Sequence, residues 1–169
     1  YNYSIEFIEK IKAIYNSNII ITTLVCPNKK IIGNYDYNLK DSLQYKIDHF
    51  NRKIKKKSQQ YLIFDVSDLA SSLGISEWFD NRLLKFFQSP FSHKFIPIFA
   101  EYFCKIILAN MGLSKKVLVT DLDNTIWGGI VGECGSKNLK ICIGDPLGEV
   151  YREIQHYRLN LKKMGVVLA

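Results

Sequence analysis

Two carboxylates stand two residues apart in the run Thr120-Asp121-Leu122-Asp123-Asn124-Thr125. They follow a short apolar run, Val117–Val119, and precede a glycine-rich stretch that holds Gly128, Gly129, Gly132 and Gly135. A carboxylate at the end of a strand can attack a phosphoryl phosphorus and form an aspartyl-phosphate. A second one can protonate the leaving oxygen and later activate water. Two negative groups cannot face a phosphate dianion without a cation between them, and Mg²⁺ with oxygen ligands and retained waters meets that need. Thr125 can hydrogen-bond locally and fix the turn. Asp and Asn also end strands for conformational reasons alone, and a bare Asp-x-Asp favours that plainer account. An apolar strand, then DLDNT, then a glycine-rich flap favours phosphoryl transfer.

The elements that position these acids follow from hydrophobic spacing. Ile5, Ile8, Ile11 and Ile14 recur every third residue and predict an amphipathic helix over 4–15. Asn18–Val25 and Tyr61–Val66 read as strands buried on both faces, as in parallel sheets. Asp65 ends the second, where open α/β sheets place functional groups. Leu43, Ile47, Phe50 and Ile54 form a helical stripe within 39–57, with Asp41 near its start. Residues 28–38 read as a loop. Short helices are predicted over 68–73, stopped by Gly74, and over 76–87. A longer one runs from about Phe95 to Asn110, with Pro97 tolerated in its first turn, and Cys104 is placed in its core. Strand 117–120, a hairpin-like excursion over 126–143, a helix over Pro146–Lys163 and a final buried strand at 166–169 complete the order. The expected class is α/β, parallel sheets with flanking helices. The expected domains are 1–113 and 114–169.

The chain of 169 residues is 47% hydrophobic and 13% aromatic, a globular composition. No apolar run approaches bilayer length, and YNYSIEFIEK has neither signal-peptide nor transit-peptide character. Cys26, Cys104, Cys134 and Cys142 lack metal-site spacing, and reduced thiols in a cytoplasmic protein are expected. The net charge of +7 concentrates in Arg52-Lys53-Ile54-Lys55-Lys56-Lys57. A lysine run at a helix end complements the helix dipole, so neither nucleic acid nor membrane is expected as a partner.

The string VLVTDLDNTIWGGIVGECG resembles motif I of the haloacid dehalogenase (HAD) superfamily, DxDx[TV]. DLDNT-IWGG-IVGE-CG is similar to the FkbH-like branch, subfamily IIIC phosphatases, whose members typically read DLDNTLWGGVVGEDG. The likeness continues through Ile143–Glu149. Upstream, FDVSDLASSLGISEWFDNRLL and the SPFSH helix resemble the region that precedes the HAD domain in such proteins, often described as SGNH-hydrolase-like.

The resemblance implies that Asp121 is the nucleophile and a Mg²⁺ ligand. It implies that Asp123 is the general acid/base, with its backbone carbonyl on Mg²⁺. Thr125 would support the loop, and Trp127, Gly128 and Gly129 would begin the squiggle and flap over the site. It also implies transfer of glyceryl units, derived from a phosphorylated precursor, to an acyl carrier protein. A plain HAD phosphatase of a small phosphorylated metabolite is the alternative within enzymes, and a non-catalytic binding or scaffold fragment is the alternative outside them.

Cys134 stands where members usually show Asp, and with no activating partner in the sequence it reads as incidental. The remaining HAD motifs are expected beyond Ala169, so the segment is expected to have little activity alone. Pro90 occupies the position where an SGNH Asp would precede His93. No Ser lies in a GDS-type motif, and Asn34 is at most a relic. The upstream region therefore reads as a degenerate SGNH-like fold.

Overall fold

A computed structural model of the chain describes residues 2–15, 18–141 and 144–169. Cys142 and Ile143 lie outside the described residues, as does the side chain of Ile5. The chain divides into two compact units, Tyr1–Asn110 and Met111–Ala169, after the last residue of a long helix. The sequence had placed the division at 113/114.

In the first unit, α1 (Asn2–Ile14), β1 (Ile20–Thr22), α2 (Leu43–Lys55) and β2 (Leu62–Phe64) lead into α3 (Val66–Leu73). Then come α4 (Ile75–Trp78), α5 (Asn81–Phe87) and α6 (Ile96–Asn110). β1 and β2 pair in parallel, with Ile20 opposite Leu62 and Thr22 opposite Phe64. Successive strand residues face opposite sides, and both sides are covered. Phe64 joins Val66, Leu69, Ala70 and Trp78, packed by Ile20, Phe99 and Phe103. Ile21 joins Ile54 and Tyr61, packed by Ile8, Phe50 and Ile63. This two-sided burial is why both strands are almost wholly apolar.

Several elements depart from the spacing-based expectation. β1 is three residues long, shorter than 18–25. Beyond it, the Asn51 amide replaces a neighbouring strand, accepting from Leu24 N and donating to Leu24 O, both at 2.8 Å. The expected loop 28–38 contains a 3-10 helix, Gly33–Asn38, and the buried Asp36 carboxylate accepts from Ile31 N and Ile32 N at 2.8 Å each. Ser42, next to Asp41, caps α2, accepting from Tyr45 N at 3.1 Å.

The predicted helix 76–87 is two helices. Phe79 and Asp80 are extended, and the Asp80 side chain restarts the helix by accepting from Arg82 N and Leu83 N. Cys104 is exposed rather than core. Phe99, Phe103 and Ile106 take the inward positions of α6 at spacings of four and three, and Cys104 falls to the side. Three cations of the lysine run are ion-paired: Arg52 to Asp48, Lys55 to Asp65, and Lys57 to Glu9 at 3.2 Å.

In the second unit, β3 (Val117–Leu118) pairs in parallel with β4 (Val167–Leu168). Between them lie α7 (Val131–Cys134), a 3-10 turn at Ser136–Asn138 and α8 (Pro146–Lys163). α8 matches its predicted span because both ends are written in local residues. Asp145 caps it and Pro146 fills its first position. Gly165, at φ +91, donates to Lys162 O while Val166 N donates to Leu161 O. Those paired bonds around a left-handed glycine turn the chain into β4. The burial expected of the final strand is found on one side only, and the same holds for β3. Val117, Val119 and Val167 are exposed, while Leu118 and Leu168 are half-buried. No helix of the described residues is long and apolar enough to cross a membrane.

Candidate functional site

Asp121 and Asp123 lie just beyond β3, where parallel pairing ends with Thr120 N donating to Ala169 O at 3.0 Å. Asp121 is exposed, and its Oδ1 accepts from the following Leu122 N at 2.7 Å. One turn then forms at 122–126, with Thr125 N and Ile126 N both donating to Leu122 O at 3.2 and 2.9 Å. Thr125 thus contributes through its backbone. Ile126 is buried, and Gln155 of α8 donates to its carbonyl at 2.8 Å, anchoring the turn to the long helix.

Asp123 is half-buried beneath the chain that follows. Its Oδ1 accepts from the Trp127 indole Nε1 at 2.8 Å and from Val131 N at 3.3 Å. Asn124 adopts a left-handed conformation, φ 55, which Asn tolerates. Its side chain accepts from Gly129 N at 2.9 Å. Gly128 is buried and forms an antiparallel bridge with Lys140, through bonds of 3.2 and 2.9 Å. A Cβ at Gly128 would stand 2.9 Å from Tyr151 Cε2 and 3.0 Å from Lys140 Cβ, so the flap root lies directly on α8. The excursion is therefore pinned as a hairpin at this antiparallel bridge. Its interior is α7 and the 3-10 turn rather than continuous strand.

Both acids carry their hydrogen bonds on Oδ1, which leaves the other oxygen of Asp121 for a cation, while Asp123 could reach the same cation through its backbone carbonyl. Hard carboxylate oxygens suit Mg²⁺, which keeps several waters and takes one or two carboxylates. Thr120 Oγ1, adjacent to Asp121, is buried with no hydrogen-bond partner among the described residues, a further oxygen in want of one. The donor set fits this ion. Among the described residues no group of three His, Cys, Asp or Glu side chains gathers as a metal centre. Cys134 is half-buried and its thiol donates back to Ile130 O at 3.0 Å.

In the first unit, Asp65 does stand at the end of β2, but as a helix cap. Its Oδ1 accepts from Asp68 N at 3.2 Å and from the Thr23 hydroxyl at 2.8 Å, and its Oδ2 pairs with Lys55. Thr23 in turn accepts from Ser67 N at 2.9 Å. Burial pushes the Asp65 carboxyl up. The bonds from Lys55, Thr23 and Asp68 N outweigh it and hold the group below the usual carboxylate range. Sequence reasoning missed Thr23 and Asn51, because neither has a local signal and each acts on a residue more than twenty positions away.

A cavity of about 660 Å³ opens beside this network, lined by Trp78, Phe91, Phe99, Thr23, Asn28 and Lys29 among others. Burial raises the Cys26 thiol, partly countered by Lys30. Asn34 lies on the exposed 3-10 helix, accepting from Lys30 Nζ at 2.7 Å, and His93 begins the short 3-10 turn before α6.

Three comparisons bear on these features. The family described as FkbH, N-terminal domain, matches residues 2–108. No curated protein matches the chain. Among solved structures, the chain is similar to the N-terminal part of the protein BF1531 from Bacteroides fragilis, which contains a phosphatase domain and is complexed with Mg. Identity is 26% and the TM-score 0.81, over 99% of this chain and 45% of that one. The chain therefore spans less than half the length of this solved relative.

Proposed function

Because the chain belongs to the family described as FkbH, N-terminal domain, and carries two strand-end acids in its second unit, we propose that it takes part in Mg²⁺-dependent phosphoryl transfer. The observation that carries this reading is the pair Asp121 and Asp123 at the exit of β3, with Asp121 exposed and Asp123 bonded by Trp127 and Val131 of the flap. The likeness to a Mg-bound, phosphatase-containing structure supports it, since that likeness runs over both units. The acids lie outside the family match itself, which ends at residue 108.

In this mechanism Asp121, exposed at the strand end, attacks the phosphorus of a small phosphorylated substrate. The P–O bond to the leaving group breaks as the bond to the Asp121 carboxylate forms. Asp123 gives its proton to the departing oxygen, then takes one from the water that releases phosphate and regenerates Asp121. The Asp121 carboxylate and the Asp123 backbone carbonyl would hold Mg²⁺, which would supply charge neutralisation for the dianion. The turn at 122–126 holds the two acids in fixed relation, and the flap root at Gly128 and Gly129 shelters the half-buried Asp123 from water.

The resemblance to FkbH-like proteins extends this reading to a glyceryl unit passed to an acyl carrier protein. The test uses the full-length protein with Mg²⁺ and a glyceryl phosphate donor, with phosphate release and carrier-protein mass followed together. Loss of both with Asp121→Asn supports the reading, as does beryllofluoride trapping at Asp121. Phosphate release without carrier loading identifies a plain phosphatase. Undiminished turnover by Asp121→Asn refutes the assignment of the nucleophile.

A further inference from the structure

The proposed chemistry assigns Asp123 a proton but says nothing of what aims it. We infer that Trp127 is a positioning residue for proton transfer by Asp123; this rests on the phosphoryl-transfer reading above. The indole Nε1–H donates to Asp123 Oδ1 at 2.8 Å, and Val131 N donates to the same oxygen at 3.3 Å. Both donors fall on one oxygen, so the carboxylate is held in one rotamer with Oδ2 left to carry the moving proton. A carboxylic acid that is both held and half-occupied in this way has one productive oxygen rather than two.

The chain is built to bring the indole there. Asn124 at φ 55 reverses the backbone immediately after Asp123, and its side chain holds Gly129 N, closing the loop around Trp127. Gly128, next to Trp127, is fixed by the bridge to Lys140 and lies so near α8 that a Cβ there would stand 2.9 Å from Tyr151 Cε2. An apolar aromatic at 127 would fill the same space without the N–H. Trp supplies a donor with no acceptor to compete for the proton.

The signature is in the leaving group. Proton donation matters for a poor leaving group such as an alkoxide and little for a good one such as p-nitrophenolate. In the full-length protein, Trp127→Phe lowers kcat/KM for an alkyl phosphate, which reports the steps through phosphoryl transfer and not the later attack of water, by on the order of tenfold to a hundredfold, the value of one charge-assisted hydrogen bond. It leaves p-nitrophenyl phosphate within about threefold, by the same reasoning that general acid assistance scales with need. Asp123→Asn shows the same selectivity more strongly, and adding Trp127→Phe to it produces no further loss on the alkyl substrate, because the two act as a unit.

Equal loss of kcat/KM on both substrates by Trp127→Phe, or additive losses in the double variant, overturns the inference while leaving the phosphoryl-transfer reading intact. Retention of full activity by Asp121→Asn overturns that reading instead. If Trp127→Phe does not fold, site-specific Trp127→3-benzothienylalanine removes only the N–H from a side chain of the same shape, and the same two substrates decide.

Discussion

Asp65 offers the sharpest test of how the first unit is held together. Asp65→Ala removes an N-cap from α3, an acceptor from the Thr23 hydroxyl and the partner of Lys55. Losing a cap costs about 1 kcal/mol. Thr23 is only 3% exposed, so its stranded hydroxyl adds about 1–2 kcal/mol. The ion pair, with side chains 49% and 32% exposed, adds no more than about 1 kcal/mol. The sum, roughly 2–4 kcal/mol, is a large part of the ~5–15 kcal/mol that holds a typical domain.

Asp65→Asn keeps an acceptor oxygen for the cap and for Thr23 and loses only the charge, so it costs about 1 kcal/mol or less. The pH dependence follows from the depressed carboxyl. A group whose folded value lies below its unfolded value, about 3.9 for Asp, contributes fully above that pH. The contribution is lost as pH falls through the folded value. Urea unfolding of wild type, Asp65→Asn and Asp65→Ala at pH 7 and pH 3 reads these terms. The gap between wild type and Asp65→Asn narrows in acid, while Asp65→Ala stays well below both. If Asp65→Asn is as damaging as Asp65→Ala at pH 7, charge rather than capping holds α3 and the reasoning fails.

Two further perturbations probe the core and the flap. Trp78→Ala removes a side chain 1% exposed and stacked on Phe91 and Phe95, with centroids at 4.8 and 5.7 Å. A loss of about 3–5 kcal/mol is expected in the urea midpoint, and Trp78→Phe recovers most of it. Gly128→Ala drives a Cβ into Tyr151 and Lys140, which costs about 1–3 kcal/mol in thermal unfolding and lowers turnover by displacing Trp127. Tyr151→Leu in the same chain relieves the contact and restores part of the stability; no recovery would mean the glycine is needed for another reason.

The legible parts of this chain were those whose determinants are local. α8 was readable to the residue, because Asp145-Pro146 starts it and Met164-Gly165 stops it within a few positions. The parallel pairing of β1 and β2 followed from apolar runs that need cover on both faces. The break at Phe79-Asp80 was missed because apolar residues on either side keep a helical spacing. The capping reach of Asp80 overrides that spacing. Cys104 was misplaced because an apolar helix offers more candidate inward positions than its neighbours can cover. The paired acids were visible as a string, yet nothing in the string says which donor meets which oxygen.

By itself, the sequence determined the α/β class, the two strand-end acids Asp121 and Asp123, and the glycines that let the following chain turn back. These depend on residue type, spacing and short-range conformation. Only the tertiary structure decided that Asp65 is bound to Thr23 and Lys55 as a cap, and that β1 yields to Asn51 after three residues. It also decided that the Trp127 indole, four residues on, closes over the Asp123 carboxylate. In the first two cases the partner lies far along the chain. In the third it is near, but held by a left-handed Asn124 and a Gly128 pressed against α8, constraints that exist only once the helix has packed.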